Sequence, residues 1–300
     1  MASSRWDAAE AELVRVFVEQ GKNDAQIVEK LQSVNIKRTY KAVQRLRQRR
    51  GWHAQIPEAK FTLGAPVTLQ ADRALLLFDI HAPYQNAPWL NRVIDLALKW
   101  KVSACGIGGD LIDFSSCNYY GRTVGMEFDE ELAAAQGVIR AIDRCFKSVV
   151  LCGGNHEYRL VRKMDNAPTL QTILDNLLAA PGTITTFRKW FLLESGGETY
   201  RVVHPKNYSR IPARNSQRLA TKYHQHVVAG HNHLWGQTRE ESNTWHAIDA
   251  GCCLDADRIS WIETEATNYP KPVLGAVIVV DGVPVLIGPE NIGLYEGAAL

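Results

Sequence analysis

The chain has 300 residues, of which 46% are hydrophobic and 22% are charged, and its formal net charge is +2. This composition is ordinary for a globular protein with a sizeable core. The length allows one large domain, or one of about 200–250 residues and a small one. No apolar run approaches the ~20 residues of a membrane span, and the N-terminus lacks the apolar block of a secretory signal. We therefore expect a soluble, cytoplasmic protein.

Six cysteines occur in the sequence, at positions 105, 117, 145, 152, 252 and 253. No pair has C-x-x-C spacing, and none belongs to a Cys/His zinc pattern. Several lie in apolar runs, where a free thiol behaves as a small hydrophobic group. A reducing compartment without disulfides is the expectation.

The positive charge is concentrated at the N-terminus. Residues 1–53 contain eleven Lys and Arg against six Asp and Glu, which predicts a separate basic module over this range. Three short helices are predicted within it, each beginning at a capping residue: Asp7, Asn23 and Thr39.

The third predicted helix and the residues before it carry most of the positive charge. No acidic residue interrupts this series of basic residues: Lys37, Arg38, Lys41, Arg45, Arg47, Arg49 and Arg50. The arrangement resembles helix-turn-helix and Myb-like DNA-binding modules, in which the last helix enters the major groove. The resemblance implies DNA as a partner, and helix-turn-helix proteins often form dimers, so a homo-oligomer is compatible with it. A solvated basic face on a small helical or protein-docking domain is the alternative.

Residues 54–72 read as a linker, and an alternation of strands and helices follows over residues 73–300. Such alternation predicts an α/β fold with a sheet buried on both faces. The predicted elements are strands over 74–80, 102–107, 148–151, 200–203 and 227–229, helices over 89–100, 128–146 and near 213–223, and a hairpin over 277–287.

Polar residues recur at the points where the predicted strands end, in five segments: Asp79–His81, Gly109–Asp113, Gly154–Glu157, His204 and Gly230–His233. In α/β sheets, ligand sites form at the carboxyl ends of the strands. Each segment alone is a weak signal, because a Gly-Asp turn or one histidine has many structural explanations. Their common placement indicates one polar rim that carries carboxylates, an amide and several imidazoles.

This order resembles the calcineurin-like metallophosphoesterase superfamily, whose pattern is D-x-H, G-D-x-x-D, G-N-H-[DE], a lone His and G-H-x-H. The resemblance covers about residues 73–290 and implies a metallophosphoesterase-type α/β sandwich, preceded here by the small three-helix domain. It implies two divalent metal ions. Asp79, His81, Asp110 and His233 would hold the first ion, and Asp110, Asn155, His204 and His231 would hold the second.

The mixed nitrogen and oxygen ligands suit Mn²⁺, which we favour, or Fe or Zn²⁺ better than Mg²⁺. In the implied mechanism, a hydroxide that bridges the metals attacks phosphorus. His156 would protonate or stabilise the leaving oxygen, with Glu157 or Asp113 orienting nearby groups. Asp110 and His156 are therefore the predicted catalytic residues. A metal-free fold that has lost its activity is the structural alternative.

The substrate class is less sharply indicated. Ser/Thr phosphatases of the superfamily usually carry arginines where this chain has Phe114 and Gly153, which argues against that branch. Further basic residues spaced by four follow His204 and are expected on one helix face, where they could bind a phosphate backbone. These residues are Arg210, Arg214, Arg218 and Lys222. Aromatic residues of the loop over 118–122 could stack on bases or simply pack.

The sequence thus favours a metal-dependent phosphodiesterase, with a nuclease acting on DNA as the first interpretation. A phosphatase or a cyclic-nucleotide phosphodiesterase acting on small molecules is the alternative enzyme. A DNA-binding regulator in which the phosphoesterase domain is secondary is the alternative from a different class.

Overall fold

The computed structural model describes residues 5–52, 64–118, 126–259 and 268–298. The chain divides into two compact units, Met1–Gly64 and Ala65–Leu300. Tyr119 and Tyr120 of the aromatic loop lie outside the described residues, as does the part of the predicted linker over 54–63. Within the described ranges, no helix is both long and apolar enough to cross a bilayer.

Three helices form the N-terminal unit: α1 (Ala8–Glu19), α2 (Asp24–Ser33) and α3 (Tyr40–Arg50). The predicted caps are present, because the side chains of Asp7, Asn23 and Thr39 each accept a hydrogen bond from the backbone of the first helical turn. Buried aliphatic side chains from all three helices form one small core, which includes Val14 and Leu31.

Two of the seven basic residues predicted to bind DNA contribute to packing within this unit. Arg38 forms an ion pair with Glu10, and Arg47 forms one with Asp24; all four side chains are largely buried. The first pair joins the segment before α3 to α1, and the second joins α3 to α2. The remaining five basic residues are exposed: Lys37, Lys41, Arg45, Arg49 and Arg50.

The second unit contains two sheets of six described strands each. One sheet has the order β1-β6-β7-β8-β10-β9, and the other has the order β12-β11-β2-β3-β4-β5. The strands are β1 (Thr68–Gln70), β2 (Arg73–Leu77), β3 (Ala104–Gly108), β4 (Ser148–Cys152), β5 (Thr183–Thr186), β6 (Trp190–Ser195), β7 (Glu198–Val203), β8 (His226–Ala229), β9 (Trp235–Arg239), β10 (His246–Ala250), β11 (Ala276–Val280) and β12 (Val283–Ile287).

Helices cover the outer faces of the sheets. They are α4 (Ala87–Lys99), α5 (Phe128–Cys145), α6 (Glu157–Lys163), α7 (Leu170–Ile173, continued by a π-helical turn over Leu174–Leu178), α8 (Arg214–Tyr223) and α9 (Ile292–Glu296). Between the sheets lies an apolar layer to which both sheets contribute, including Leu76 from β2, Phe191 from β6 and Val277 from β11. The predicted α/β sandwich is therefore confirmed.

The structure corrects two predicted boundaries. Strand β1 lies within the predicted linker over 54–72 and pairs in parallel with β6, because Leu69 is buried in the layer between the sheets. The strand predicted over 74–80 ends at Leu77. Asp79 and His81 have left-handed backbone angles, with φ of 49° each, which a β-strand cannot accommodate.

Strand direction decides where the polar segments meet. Strands β2, β3 and β4 are parallel neighbours in one sheet, and β7 and β8 are parallel neighbours in the other. Their carboxyl ends carry the five polar segments predicted from the sequence. The stacking of the two sheets brings three of these segments from one sheet against two from the other.

Replacing Leu193 by Ala should destabilise the second unit by about 2–5 kcal/mol, because Leu193 is fully buried between the sheets and its removal leaves a cavity. Urea unfolding followed by circular dichroism measures the change. Leu294→Ala is the matched control, since that side chain is 77% exposed and should lose less than about 0.5 kcal/mol. Equal losses in the two variants would contradict the assigned core.

Candidate metal centre

The first group of ligand-type side chains consists of Asp79, His81 and His233. Potential ligand atoms of these three residues all lie within 4.8 Å of one another. Nε2 of His233 is 3.3 Å from Oδ1 of Asp79, and Nε2 of His81 is 3.8 Å from the same oxygen. These three residues, from the first and last polar segments, were predicted to share one metal ion.

The second group consists of Asp110, His204 and His231, whose potential ligand atoms also lie within 4.8 Å of one another. Nε2 of His204 is 3.2 Å from Oδ2 of Asp110. The amide oxygen of Asn155 lies 2.9 Å from the same nitrogen. The four residues predicted for the second ion are therefore brought together.

Asp110 lies between the two groups. Its Oδ2 atom is 3.2 Å from Nε2 of His204 in the second group and 3.8 Å from Nε2 of His81 in the first. Its other oxygen accepts a hydrogen bond of 2.8 Å from the backbone N–H of His156, which fixes the carboxylate plane. Asp110 thus lies near a histidine of each group.

Five of the seven predicted ligands have left-handed backbone angles: Asp79 (φ 49°), His81 (φ 49°), Asp110 (φ 51°), His231 (φ 71°) and His233 (φ 55°). Such conformations cost of order 1–3 kcal/mol each for residues other than glycine, and they concentrate at functional sites. Gly154 is required because a Cβ there would lie 2.0 Å from Oδ1 of Asp110. Bringing these side chains together therefore lowers the stability of the backbone.

Buried negative charge dominates the electrostatics of the site. Burial alone would raise the pKa of Asp79 and of Asp110, but the surrounding histidines, chiefly His233 for the first and His204 for the second, hold both pKa values below the usual range. Burial alone would lower the pKa of His81, whereas its hydrogen bond to Asp113 and the nearby carboxylates raise it to about 10. The carboxylates that raise the pKa of His81 also favour a cation beside it, whereas burial lowers the pKa of His231 to about 4.

The side chains fit divalent cations. Oδ1 of Asp79 is buried and accepts no hydrogen bond within the described residues, so it has coordination capacity left for a cation. Nδ1 of His81 contacts Oδ1 of Asp113 at 2.9 Å, and Nδ1 of His204 contacts the carbonyl oxygen of Gly108 at 3.2 Å. Contacts of this kind orient metal-binding imidazoles and direct their Nε2 atoms toward the ion.

Glu157 orients the backbone rather than a ligand side chain. Its carboxylate is fully buried and accepts hydrogen bonds from the backbone N–H groups of Gly154 (2.7 Å), Leu111 (2.8 Å) and Asp110 (3.2 Å). Burial, together with the charge of Asp110, raises the pKa of Glu157 to about 7. One side chain thus joins the loops after β3 and β4.

His156 contacts one hydrogen-bond acceptor and one hydrogen-bond donor. Its Nδ1 atom lies 2.7 Å from the carbonyl oxygen of Asp113, an acceptor, so Nδ1 carries the proton. Its Nε2 atom lies 3.0 Å from Nη2 of Arg159, a permanent donor, so Nε2 acts as the acceptor. Burial lowers the pKa of His156. In this arrangement His156 is a neutral imidazole.

Arg159 was not predicted from the sequence. It follows His156 by one turn of α6, and its Nη1 atom donates a hydrogen bond of 2.9 Å to the carbonyl oxygen of Asp113. The signal in the sequence that could have identified Arg159 was its spacing of three residues from a predicted catalytic histidine, on a helix.

Asp113, His81 and His156 also form a third group of ligand-type atoms. Both imidazoles direct Nδ1 to Asp113, so we assign Asp113 an orienting role.

Asp249 on β10 is a second residue without a sequence signal. It is 1% exposed and accepts hydrogen bonds from Nδ2 of Asn232 (3.1 Å), the backbone N–H of Ala213 (2.9 Å) and the hydroxyl of Ser216. Asn232 lies between the ligands His231 and His233 in the chain. Asp249 thus anchors the loop after β8 to the start of α8.

The predicted basic stripe is divided in the structure. Helix α8 begins at Arg214, so Arg210 precedes the helix and does not lie on its face. Arg210 instead lies 4.9 Å from the ring centroid of Tyr269. Arg214, Arg218 and Lys222 are exposed on α8.

No protein-family model matches the sequence, and no curated protein matches it. Among solved structures, vacuolar protein sorting 29 from Cryptosporidium parvum is similar over 72% of this chain and 95% of that chain, with a TM-score of 0.37 and 13% identity. Wild-type Vps29 from Entamoeba histolytica complexed with Zn²⁺ is similar over 72% and 97%, with a TM-score of 0.35 and 12% identity.

A protein assigned as a diadenosine tetraphosphatase is similar over 75% of this chain and 98% of that chain, with a TM-score of 0.36 and 17% identity. Because these scores and identities are low, we base the functional conclusion on the geometry of the site and not on these similarities.

Replacing Asp249 by Ala should weaken metal binding by about 10–100-fold, because Asn232 and the histidines on either side of it lose their anchor. Titration with Mn²⁺ measures the affinity without requiring activity. Asp249→Asn, which keeps one acceptor oxygen, should fall between Asp249→Ala and the unchanged protein. Asp95→Ala, an exposed aspartate on α4, is the control. Unaltered affinity in a folded Asp249→Ala protein would contradict the anchoring role.

Proposed function

We propose that this chain is a phosphoester hydrolase that depends on two divalent metal ions. The observation that carries the proposal is the position of Asp110, whose Oδ2 atom faces a histidine of each ligand group. A buried carboxylate between two groups of imidazoles suits two neighbouring cations. The motif order, which resembles that of calcineurin-like metallophosphoesterases, supports the same conclusion.

Asp79, His81, Asp110 and His233 would hold one ion, and Asp110, Asn155, His204 and His231 would hold the other. Bound metal ions would stabilise charge on the phosphoryl group and lower the pKa of a water molecule. We favour Mn²⁺, with Fe or Zn²⁺ as alternatives, because the ligands combine imidazole nitrogen with carboxylate and amide oxygen.

His156 and Arg159 would act together on the substrate. With its proton on Nδ1, His156 can donate from Nε2 only after a second proton has been taken up there. Arg159 needs no change of protonation to donate a hydrogen bond, because its guanidinium is always charged. We infer that Arg159 acts through His156, whose imidazole it positions by the contact between Nη2 and Nε2.

We further propose that the substrate is a phosphodiester of DNA. Near the second ligand group, the ring of Tyr208 lies 6.4 Å from that of His231 and 5.4 Å from that of Tyr269. The two tyrosines are 44% and 53% exposed, so their rings are accessible for stacking on bases. We call these two residues the tyrosine pair. The five exposed cations of the N-terminal unit would provide a second contact with DNA.

Two alternatives lead to different measurable behaviour. A phosphatase or a cyclic-nucleotide phosphodiesterase would act on small phosphoesters and leave DNA intact. A DNA-binding regulator would lose DNA binding when Lys41, Arg45 and Arg49 are neutralised. Its cleavage of a small phosphodiester would stay unchanged.

The deciding assay compares hydrolysis of bis-p-nitrophenyl phosphate, p-nitrophenyl phosphate and labelled single- and double-stranded DNA in the presence of Mn²⁺. We expect cleavage of the diester and of DNA, and its loss with a chelator. Asp110→Asn should abolish both activities, because one carboxylate serves both ions. Asp95→Asn is the exposed control. Full activity of Asp110→Asn would refute the site, and cleavage of the monoester alone would assign the protein to the phosphatases.

His156→Ala should retain metal binding but slow hydrolysis by about 10²–10⁴-fold, as expected when a group that protonates or stabilises the leaving oxygen is lost. Arg159→Ala should also slow hydrolysis, and the double variant should be no slower than His156→Ala, because Arg159 acts through His156. Arg162→Ala, an exposed arginine on the same helix, is the control. Additive effects in the double variant would show that Arg159 acts independently of His156.

A further inference from the structure

A cavity of about 460 Å³ adjoins the second ligand group, and His204 is among its lining residues. It lies between the exposed ends of β6 and β7 and one face of α8. Five cationic side chains line it: Lys189, Arg201, Lys206, Arg218 and Lys222. The volume is within the range of about 300–1,000 Å³ that is typical of ligand sites.

Carboxylates offset this positive charge only in part, through the charges of Asp110 and Glu157 near Lys189. Neither Asp nor Glu occurs among the described residues that line the cavity, and within the described part of the chain none of the five cations forms an ion pair. Elsewhere in the molecule, cations such as Arg38 and Arg92 are matched by carboxylates. The cavity therefore concentrates positive charge beside the metal centre.

Aromatic rings position the central cation. The guanidinium of Arg201 lies 3.8 Å from the ring centroid of Trp190 and 4.1 Å from that of Tyr223, so it is held between two rings. Lys222 lies 5.1 Å from the ring of Tyr223, and Lys189 lies 4.7 Å from that of Tyr158. Ring faces stabilise a cation without cancelling its net charge, so these groups remain able to bind an anion.

The cavity is coupled to the metal centre through the backbone. The N–H group of His204 donates a hydrogen bond of 2.8 Å to the carbonyl oxygen of Lys189, so a cavity cation and a metal ligand are fixed to one another across β6 and β7. The cavity and the second ligand group therefore share His204 and are held next to one another by this hydrogen bond.

We propose that this cationic cavity binds the phosphate groups of a nucleic-acid strand next to the ester that is hydrolysed; the proposal rests on the function proposed above. A nucleic-acid strand could contact both the cationic cavity and the tyrosine pair, which lie at different predicted ligands. The cavity lies at His204, and the tyrosine pair lies at His231, whose ring centroid is 5.0 Å from that of His204. A small phosphoester would not need both surfaces.

The test uses the full chain carrying Lys41→Gln, Arg45→Gln and Arg49→Gln, so that DNA binding by the N-terminal unit does not mask the cavity. Arg218→Gln with Lys222→Gln removes two exposed cavity cations one helical turn apart. Arg140→Gln with Arg144→Gln is the matched control, because these arginines are exposed on α5 with the same spacing and do not line the cavity. Arg201→Gln is a second, independent cavity variant.

Two measurements are made on each protein. Fluorescence anisotropy of a single-stranded oligodeoxynucleotide in the presence of a chelator reports binding without hydrolysis. Mn²⁺-dependent hydrolysis of bis-p-nitrophenyl phosphate reports the metal centre alone. A nucleoside triphosphate as competitor distinguishes a strand from a small nucleotide as the source of the phosphates.

We expect the cavity double variant to bind the oligonucleotide roughly tenfold or more weakly, with a log Kd against log salt slope lower by about 1.4, as two lost phosphate contacts predict. Hydrolysis of the small diester should stay unchanged. Unchanged binding in both cavity variants, an equal loss in the α5 control, or a triphosphate that competes as well as the oligonucleotide would overturn the proposal. If no protein hydrolyses the diester, the proposed function fails, while anisotropy still decides whether the cavity binds DNA.

Discussion

Three aspartate carboxylates, Asp79, Asp110 and Asp113, are buried where the two sheets meet, each no more than 1% exposed. Burying a carboxylate is costly unless positive charge and hydrogen bonds compensate it. The histidines around them meet this requirement in part, as the raised pKa values of His81 and His204 show. The same negative charge creates the demand for divalent cations, so the electrostatics of the fold and the proposed chemistry have one origin.

Holding these groups together imposes a cost on the backbone. Five of the seven predicted ligands adopt left-handed angles that strands do not allow, so β2, β3 and β8 must end before them. Two buried carboxylates compensate by fixing the loops. Glu157 accepts from backbone N–H groups of the loops after β3 and β4, and Asp249 anchors Asn232 and the start of α8. Neither residue need contact a substrate to be essential, because their loss would release the loops that carry the ligands.

Positive charge is held in two different ways in this chain. In the N-terminal unit, ion pairs with Glu10 and Asp24 neutralise Arg38 and Arg47, which thereby serve to join helices. Beside the metal centre, aromatic rings hold Arg201 and leave its charge unbalanced. Ion-paired cations stabilise the fold, whereas cations held by aromatic rings keep a charge for the proposed phosphate backbone. A count of basic residues along the sequence cannot distinguish these two kinds of cation.

The sequence predicted that the polar segments from Asp79 to His233 would meet, because the carboxyl ends of parallel strands converge. The assignment of ligands within these segments came from the resemblance to calcineurin-like metallophosphoesterases and stays a prediction. Local patterns also predicted the three N-terminal helices and the hairpin over 277–287, which the structure shows as β11 and β12. Strands β6 and β10, the anchor Asp249 and the cavity around Arg201 were decided only by the tertiary structure. Their roles depend on contacts between residues distant in the chain, and the packing of two sheets, not local spacing, brings those residues together.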